Sequence, residues 1–594
     1  MKLCKLISIN SKFNHVNLAV RSLESWVKKY NTGYNVDFSL VVQNFTINQN
    51  LLDVLDSICC NNPQMVLFSV YIWNVEFIAK IIAEIKKNLP DSIVGCGGPE
   101  VSFCPDLFLK NNPNVDFIMA GEGEETLCQL LENNFEYQKV PGIYYFENEL
   151  KFTGSRDLIC DLDKLVFPYD DGSGNLVNDL HPSNNIFYYE SSRGCPFSCS
   201  YCLSSLDKRV RFKSVEVVKR EIEFFLRNKV HLVKFVDRTY NLREDRYIQI
   251  WNYIKENWNG VSQFHFEIEA GQLTQKALDA IKDVPPGMMQ FEIGLQTTNP
   301  PTLNEIHRKE DLDYVHYVLL NIPKSIHVHL DLIAGLPFES LVEFKMSFNW
   351  AIGQRPSMLQ LGFLKILHGT QMEKFAENYN QYKYLSTPPY EVFSSPWLSA
   401  GDIRFLKHVD LLVDTYYNSQ NFLRTLEYIF DLYAKCNKTE WDFFEDLELF
   451  FNSKNYFSDA HSLEFWFEKL FDFITSENSI CVHGQEFLKF DYICRGKTSS
   501  YPSWYKRNYS KDIHAKAIDL YYNKSEKSSS LEVYKNTALE IFDYNVIEWK
   551  EKSELEREKT QVLFIYRNGS PKSASIKTQI KSNNCVCVKC EVLE

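Results

Sequence analysis

The sequence predicts an α/β protein with three structural parts: an N-terminal doubly wound, Rossmann-like domain, a central partial (β/α)6 barrel and a mainly α-helical C-terminal domain. Short apolar strand patterns alternate with helix patterns near the N-terminus, and the alternation resumes after residue 186. Beyond residue 370, aromatic and aliphatic residues recur at helical spacing instead. A chain of 594 residues is also too long for one hydrophobic core. We therefore place the parts at residues 1–140, 186–370 and 371–594, with a linker at 141–185.

Composition excludes several classes of protein. The net charge of −13 and the pI near 5.6 argue against nucleic acid as a partner. Sixteen cysteines are too few for a disulfide scaffold in a chain of this length. Met1 leads directly into a strand pattern without a signal peptide, and no apolar run is long enough to span a bilayer. We expect a cytoplasmic protein without a membrane span.

The first domain is built from repeated strand–helix units. Periodicity predicts strands at 3–9, 36–42, 65–70, 92–95 and 117–120, and helices at 18–29, 51–59, 75–87 and 124–132. Such repeats favour a parallel sheet, which binds ligands at the carboxyl ends of its strands. The loops expected there contain eight candidate binding residues, namely Asn10, His15, Ser69, Trp73, Gly97, Gly98, Gly121 and Glu122. Each loop alone is weak evidence, because tight strand–helix turns use glycine anyway.

The same alternation of strand and helix patterns predicts the barrel. Strands are expected at 187–190, 231–236, 263–268, 289–295, 327–332 and 358–364, with helices at 215–227, 247–256, 274–281, 311–320 and 341–351. In parallel barrels the chemistry sits at the C-terminal ends of the strands. Polar residues interrupt the apolar strands there: Asp237, Arg238, Glu267, Glu269, Gln296 and Lys365. They serve a ligand, or alternatively form a structural ion network.

A loop at residues 193–202 follows the first barrel strand and contains Cys195, Cys199 and Cys202 in the pattern C-x3-C-x2-C. Thiolates suit iron–sulfur clusters, and three of them leave one iron of a four-iron cluster open. The alternatives are three thiols in a turn or a zinc site. Zinc ligands, however, usually come as two separated pairs.

The C-terminal part carries helical apolar stripes at 403–412, 422–432, 443–451 and 462–473 and a strand pattern at 561–566, and we expect it to cap the barrel. Near the end, Cys585, Cys587 and Cys590 are either free thiols or ligands of an auxiliary cluster or zinc.

Several of these motifs resemble one family. The segment 193–202, with Tyr201 before its last cysteine, resembles the cluster loop of radical S-adenosylmethionine (radical SAM) enzymes. GGPEVS at 97–102 and DFIMAGEGEETL at 116–127 resemble the cobalamin (B12)-binding domain that often precedes such barrels. The barrel segments FVDRTYN, FHFEIEA, QFEIGLQTTNPPTL, LDLIAGLPFES and LQLGFLKILHGT resemble strand ends of the branch with a B12-binding domain and a C-terminal helical domain of unknown function.

The resemblance implies a [4Fe-4S] cluster on the three loop cysteines, S-adenosylmethionine (SAM) on its open iron, and cobalamin on the eight loop residues of the first domain. Asp237 and Arg238 replace the usual Gly-Gly-Glu, and with Glu267 and Gln296 they are the expected SAM contacts; Tyr201 and Gly335 flank the adenine. The D-x-H-x-x-G motif that supplies a cobalt ligand in other B12 proteins is absent. His15 is then either a cobalt ligand or a hydrogen-bonded loop residue, and Trp73 packs on the corrin or at a domain interface.

By the same resemblance, the chain is expected to cleave SAM reductively to a 5′-deoxyadenosyl radical. We expect a class B, cobalamin-dependent methyltransferase that methylates an unactivated carbon of a small-molecule or peptide substrate, with flavodoxin or ferredoxin as electron donor. The alternatives are a radical cyclisation or rearrangement without methylation, or a non-catalytic corrinoid-binding sensor. The sequence assigns no catalytic residue and identifies no substrate.

Overall fold

A computed structural model describes residues 2–31, 38–379, 381–476, 481–496, 498, 500–521, 536–549, 559–566, 579–581 and 585–590. The chain divides into two compact units. The first comprises Met1–Ser347 and Leu361–Ile403, and the second comprises Phe348–Gln360 and Arg404–Glu594.

The first unit begins with a seven-stranded sheet in the order β2-β1-β3-β4-β5-β6-β7. Its strands are β1 (Lys2–Asn10), β2 (Phe38–Thr46), β3 (Met65–Ser69), β4 (Ile93–Gly97), β5 (Phe117–Met119), β6 (Ile143–Glu147) and β7 (Glu149–Phe152). The helices are α1 (Leu18–Tyr30), α2 (Leu51–Cys59), α3 (Val75–Asn88), α4 (Pro99–Ser102), α5 (Pro105–Asn111) and α6 (Gly123–Glu132).

Strands β1 to β5 are parallel, as the strand–helix repeats predicted. The side chain of Asn17 caps α1 by accepting a hydrogen bond from the amide of Val20. Residues 143–152 differ from the expectation of an irregular linker, because β6 and β7 form an antiparallel hairpin that extends the sheet beyond β5. A hairpin needs no crossover helix, so the strand–helix rhythm gives no signal of it.

The second sheet has six strands in the order β15-β14-β13-β12-β11-β8, which is the predicted partial barrel. The strands of this part of the chain are β8 (Ile186–Tyr189), β9 (Ser192–Arg193), β10 (Arg211–Phe212), β11 (Leu232–Phe235), β12 (Gln263–Ile268), β13 (Met289–Gln296), β14 (His327–Ala334), β15 (Met358–Phe363), β16 (Lys383–Tyr384) and β17 (Val392–Ser394). Its helices are α7 (Val215–Arg227), α8 (Glu244–Asn257), α9 (Gln275–Ile281), α10 (Pro300–Glu305), α11 (Leu312–Asn321), α12 (Leu341–Gly353) and α13 (Gln371–Asn378).

Burial alternates strictly along β13 and β14. Since successive side chains of a strand point to opposite faces, Phe291 and Leu330 lie buried on one face, while Glu292 and His329 occupy the other. Polar side chains therefore line one face of these strands, although both strands are central in the sheet.

The C-terminal part is mainly helical, as expected, and also contains an antiparallel sheet. The helices are α14 (Ala400–Leu412), α15 (Leu423–Lys435), α16 (Glu440–Ser453), α17 (Leu463–Ser476), α18 (Cys481–Cys494) and α19 (Lys511–Tyr521), and a π-helical turn spans Val413–Asn418. The sheet has the order β18-β19-β21-β20, formed by β18 (Thr537–Phe542), β19 (Thr560–Tyr566), β20 (Gln579–Lys581) and β21 (Cys585–Cys590). Within the ranges described, no helix combines the length and the apolar character that crossing a bilayer requires.

Candidate functional site

The cysteine loop follows β9 and runs next to the segment that leads into β10. Cys195 and Cys199 are buried, and Cys202 is half-buried. Gly194 has φ +90°, and a Cβ there would lie 2.4 Å from the carbonyl oxygen of Arg209. Only glycine fits that position.

The donor set fits an iron–sulfur cluster. Among the described residues, no three or more His, Cys, Asp or Glu side chains lie close enough together to hold a single metal ion. A four-iron cluster instead takes each thiolate on a different iron, which suits three cysteines spread along one loop. Burial raises the pKa of the Cys199 thiol, and the Arg308 guanidinium, with Nη1 4.0 Å from Sγ, opposes that rise. A nearby cation favours the thiolate that a metal requires.

Backbone hydrogen bonds hold the loop against two other segments of the barrel. The amide of Ser200 donates to the carbonyl oxygen of Ile306 at 3.1 Å, and the amide of Met372 donates to the oxygen of Ser200 at 2.9 Å. The amide of Cys195 also donates to the carbonyl oxygen of Asp207, which follows the loop, at 2.9 Å. The loop is thus fixed before any ligand binds.

Asp237 supports this loop instead of facing an open space. It is fully buried, and its Oδ2 accepts from the amide of Ser191 at 3.0 Å. Its Oδ1 accepts from the hydroxyls of Ser191 at 2.6 Å and Ser192 at 2.5 Å. The resemblance implied a SAM contact here. With both oxygens occupied, the structure gives Asp237 the geometry of a positioning residue.

Arg308 is a residue that sequence reasoning missed. It lies in a run of charged residues after α10, which is the pattern of a solvated segment, yet the side chain is 12% exposed. Its Nη2 donates to Glu269 Oε2 at 3.0 Å and to the carbonyl oxygen of Gly294 at 2.8 Å, and it also pairs with Glu310. Arg308 thereby connects the cysteine loop to the ends of β12 and β13.

The polar face of the barrel strands is arranged in rows across β12, β13 and β14. Parallel pairing places Glu267 beside Glu292 and Glu292 beside His329. Burial raises the pKa of Glu267 to about 7, although the nearby Arg238 opposes that rise. Gln296 ends β13 at a register shift with φ +72°, and its amide lies over Gly294. Lys365 is exposed.

Asp331 is a second residue that the sequence did not predict for the site, although it lies in the barrel segment LDLIAGLPFES. It pairs in register with Gly294 on the polar face. Its Oδ1 is buried and has no hydrogen-bond partner among the described residues. Burial, with the charges of Glu292 and Glu267, raises the pKa of Asp331 to about 8. A buried acceptor without a donor is costly, so this site suits a ligand that supplies one.

Tyr201 and Gly335 are brought to one apolar cluster. Tyr201 packs against a core that includes Leu336, Leu364 and Tyr382, and Tyr382 donates its hydroxyl to the carbonyl oxygen of Gly335 at 3.2 Å. This largely apolar setting is compatible with the predicted adenine contact.

A cavity of about 850 Å³ lies at the carboxyl ends of β1, β3, β4 and β5. It is at the large end of ligand pockets, which typically measure about 300–1,000 Å³. All eight residues predicted for cobalamin line it, namely Asn10, His15, Ser69, Trp73, Gly97, Gly98, Gly121 and Glu122. Barrel residues close the other side, namely Tyr188, Glu190, Arg193, Gly194 and Arg238. Of the predicted SAM contacts, Arg238 thus belongs to this cavity.

Close backbone packing shapes the cavity. Gly98 has φ +117°, and a Cβ there would lie 2.4 Å from the carbonyl oxygen of Val70. Trp73 is 48% exposed and stacks on Tyr71, with ring centroids 4.3 Å apart and planes inclined by 7°. The buried amide of Asn74 donates to the carbonyl oxygens of Ile9 and Ser69 and so ties this loop to two strand ends. The wall therefore offers a flat aromatic surface on a fixed backbone.

Glu122 links the first sheet to the cysteine loop. Its Oε1 lies 2.8 Å from Arg211 Nη1 and 3.2 Å from Arg193 Nη1, and its Oε2 accepts from the amide of Ile159 at 2.8 Å. Burial alone would raise the pKa of Glu122, but these partners hold it below its usual value. Its carboxylate is therefore occupied by the protein itself.

Of the three C-terminal cysteines, the structure describes the side chain of Cys587. Cys587 is buried on β21, with its Sγ 3.6 Å from Cys494 Sγ. The side chains of Cys585 and Cys590 lie outside the described residues, so metal binding by these three cysteines stays a prediction.

Comparison with known proteins matches three parts of the chain. A B12 binding domain matches residues 4–131, a radical SAM superfamily domain matches 189–351, and a domain of unknown function, DUF4080, matches 377–564.

Three curated relatives each match a little under half of the chain. An uncharacterized methyltransferase of Pyrococcus horikoshii is 28% identical over 46% of this chain and 61% of its own length. The cobalamin-dependent radical SAM methyltransferase TokK of Streptomyces tokunonensis is 26% identical over 48% of this chain and 44% of its own. An anaerobic magnesium-protoporphyrin IX monomethyl ester cyclase of Synechocystis is 25% identical over 43% of this chain and 52% of its own. The matched region thus spans between 44% and 61% of these relatives.

Solved structures share the fold. The cobalamin-dependent radical enzyme OxsB, with aqua-cobalamin and SAM bound, aligns with a TM-score of 0.56 at 14% identity, over 83% of this chain and 79% of its own. The radical SAM methyltransferase TsrM of Kitasatospora setae, with cobalamin and a [4Fe-4S] cluster bound, aligns with a TM-score of 0.52 at 15% identity, over 66% of this chain and 76% of its own.

Proposed function

This chain is a radical SAM protein with an N-terminal B12-binding domain and a C-terminal DUF4080 domain, and we propose from that premise that it methylates a carbon atom of a small-molecule or peptide substrate. The proposal rests on one observation: the cavity of the B12-binding domain is walled on its other side by the barrel, including Arg193 and Gly194 beside the first cluster cysteine. A cofactor in the cavity and a cluster on the loop would therefore face the same space.

When bound, the cluster, SAM and cobalamin supply the radical and the methyl group. The chain's own part is to bind and orient them. Cys195, Cys199 and Cys202 hold the cluster, and the fixed backbone of their loop sets its position. Asp237 holds Ser191 and Ser192 ahead of that loop.

Arg308 and Asp331 extend the predicted set of SAM contacts. SAM carries a carboxylate, an ammonium group and ribose hydroxyls, so it needs both a cation and acceptors. Arg308 supplies the cation next to Cys199, while Glu267 and the unpartnered Asp331 Oδ1 supply acceptors on the polar face. Gln296 and Gly335 lie at the ends of β13 and β14 and complete the proposed pocket.

The test is anaerobic reconstitution with iron, sulfide and cobalamin, followed by incubation with SAM that carries a deuterated methyl group. We expect 5′-deoxyadenosine, S-adenosylhomocysteine and, with the right substrate, a deuterated methyl group on carbon. Cys199→Ala is expected to abolish 5′-deoxyadenosine, because it removes a cluster ligand. Retained reductive cleavage of SAM in Cys199→Ala would reject the cluster assignment.

The similarity to the Synechocystis cyclase favours a second candidate, a radical cyclisation without methylation. The same assay separates the two. Methyl transfer yields S-adenosylhomocysteine and a labelled product, whereas cyclisation yields 5′-deoxyadenosine and a product without the deuterated methyl group.

A further inference from the structure

The inference concerns Arg238, which follows β11 and lines the cavity from the barrel side. It rests on the proposed function and names the class of substrate. The sequence predicted Arg238 as a SAM contact, whereas its exposed side chain is among those that line the cavity. The charges around its guanidinium therefore indicate which ligand the cavity can take.

Arg238 differs from the other two arginines that line the cavity. Arg193 and Arg211 both pair with Glu122, at 3.2 Å and 2.8 Å, and each has a further carboxylate partner. For Arg238, no carboxylate oxygen of the described residues lies within 4.0 Å of a guanidinium nitrogen. The protein thus leaves the positive charge of Arg238 without a paired carboxylate at this wall of the cavity.

The acids around Arg238 are either engaged elsewhere or neutralised by burial. Asp237 accepts hydrogen bonds from two serines, and Glu190 accepts one from Arg193 Nε at 2.8 Å. Burial raises the pKa of Glu267 to about 7, although the charge of Arg238 opposes that rise. Below that pH the protonated form of Glu267 predominates and carries no charge. An anion in the cavity therefore has little competition for the guanidinium.

The backbone at Arg238 is fixed next to the cysteine loop. The amide of Tyr240 donates to the carbonyl oxygen of Glu267 at 3.0 Å. The hydroxyl of Thr239 donates to the carbonyl oxygen of Arg238 at 2.8 Å and lies 3.5 Å from Cys195 Sγ. Arg238 thus neighbours, in the chain, a residue that contacts the first cluster cysteine. A ligand held by Arg238 would lie near both the cluster loop and the cavity.

An anion at Arg238 has three possible sources. SAM carries a carboxylate, for which Arg308 beside Cys199 already supplies a cation. Cobalamin carries uncharged amides around its corrin ring, and its one anion is a phosphodiester on the nucleotide tail, away from the reactive face of the ring. The substrate is the remaining source, and it has to lie between the two cofactors.

We propose that Arg238 binds an anionic group of the substrate, a carboxylate or a phosphate, and so holds the substrate between the cluster loop and the cavity. A guanidinium presents a planar fork of N–H donors that matches the oxygens of either group. The substrate is then an acid, and compounds without an anionic group are excluded.

The test uses the full-length protein, reconstituted with iron, sulfide and cobalamin and supplied with SAM that carries a deuterated methyl group. The probe is a small-molecule extract of the cells that make this protein, separated by anion exchange at neutral pH into a retained and an unretained fraction. A substrate should stimulate 5′-deoxyadenosine formation, because it consumes the radical. We expect the retained fraction to give that stimulation.

Variants test the residue itself. Arg238→Gln should raise the amount of retained fraction needed for half-maximal stimulation by roughly 10-fold to 150-fold, the cost of losing a hydrogen bond to a charged group. It should leave unstimulated 5′-deoxyadenosine formation unchanged. Arg238→Lys should restore part of the response, since it keeps the charge without the fork. Arg220→Gln is the matched control, because Arg220 is exposed on α7 and lies outside the cavity. An Arg238→Gln response equal to that of the wild type would overturn the inference.

Binding measurements without substrate separate the three sources of the anion. Arg238→Gln should bind SAM and cobalamin as the wild type does. Weaker SAM binding would assign Arg238 to the carboxylate of SAM. Weaker binding of cobalamin, but not of cobinamide, which lacks the nucleotide tail, would assign it to the phosphodiester. Either result would overturn the inference.

Failure of the inference and failure of the proposed function give different results. Stimulation by the unretained fraction, with deuterated methyl in the product, would overturn the inference and leave methyl transfer standing. Stimulation by the retained fraction without a deuterated product would overturn methyl transfer and leave the inference standing. Stimulation by neither fraction would overturn both.

Discussion

Arg308 donates a hydrogen bond to Glu269, with 3.0 Å between Nη2 and Oε2, while its Nη1 lies 4.0 Å from Cys199 Sγ. One guanidinium thus connects a strand-end carboxylate with a cluster cysteine. Burial by itself would lower the pKa of Arg308, but its partners raise it well above its usual value, so the charge is permanent.

Arg308→Ala should destabilise the protein strongly. It leaves the mostly buried carboxylates of Glu269 and Glu310 without their cation, and removing one partner of a buried pair costs about 3–5 kcal/mol. Urea denaturation of the reconstituted protein measures the loss. Arg209→Ala is the matched control, since that side chain is 76% exposed and should cost about 0–1 kcal/mol. Equal stability of the two variants would contradict the buried network.

Asp237→Asn should lower cluster occupancy, because the amide replaces one acceptor oxygen with a donor beside Ser191 and Ser192. Leaving a buried hydrogen-bonding group without its partner costs about 1–3 kcal/mol. Iron and sulfide analysis gives occupancy, and SAM titration of the loaded fraction gives affinity. If the variant instead keeps full cluster occupancy but binds SAM more weakly, Asp237 contacts SAM directly, as the sequence suggested.

Stability should fall as pH rises across the near-neutral range. Burial raises the pKa of Glu267 from 4.5 to about 7 and that of Asp331 from 3.8 to about 8. Between its unfolded and folded pKa values, each carboxyl group keeps its proton in the native state but loses it in the unfolded state. The stability that protonation provides is therefore complete below pH 3.8, and it is lost progressively as the pH rises to about 7 for Glu267 and about 8 for Asp331. Denaturation at a series of pH values measures the slope. Asp331→Asn and Glu267→Gln should each flatten it, and an unchanged slope in the double variant would contradict this assignment.

Gly98→Ala should damage the cavity more than Gly121→Ala does. Both positions have positive φ, so each substitution costs about 1–3 kcal/mol in backbone strain. A Cβ at Gly98 also meets the carbonyl oxygen of Val70 at 2.4 Å, whereas at Gly121 nothing lies within 4 Å. Overpacking adds about 1–3 kcal/mol to the first. Unfolding free energies and cobalamin affinities should be measured for both variants. Equal losses of stability and affinity would contradict the prediction, because they would show that the backbone at Val70 shifts to accommodate the Cβ at position 98.

The sequence predicted the architecture well because each signal is local. Apolar runs of strand length, helical periodicity and cap residues such as Asn17 and Thr274 are set by neighbours in the chain, and both of these side chains cap the helix that follows them. The hairpin of β6 and β7 was not predicted, and of the C-terminal sheet the sequence indicated β19 alone. These strands pair antiparallel and are not joined by crossover helices, so no alternation of strand and helix patterns indicates them.

The cysteine spacing and the glycine loops by themselves determined which chemistry the chain is suited to, since thiolate donors and close backbone approach depend on residue type and order. Only the tertiary structure decided which polar groups remain available. It assigned Asp237 and Glu122 to internal partners and left Asp331 Oδ1 without a described donor. It also placed Tyr188 beside His15, 173 residues away. Hydrogen-bond partners come from segments far apart in the chain, so no sequence pattern could assign them.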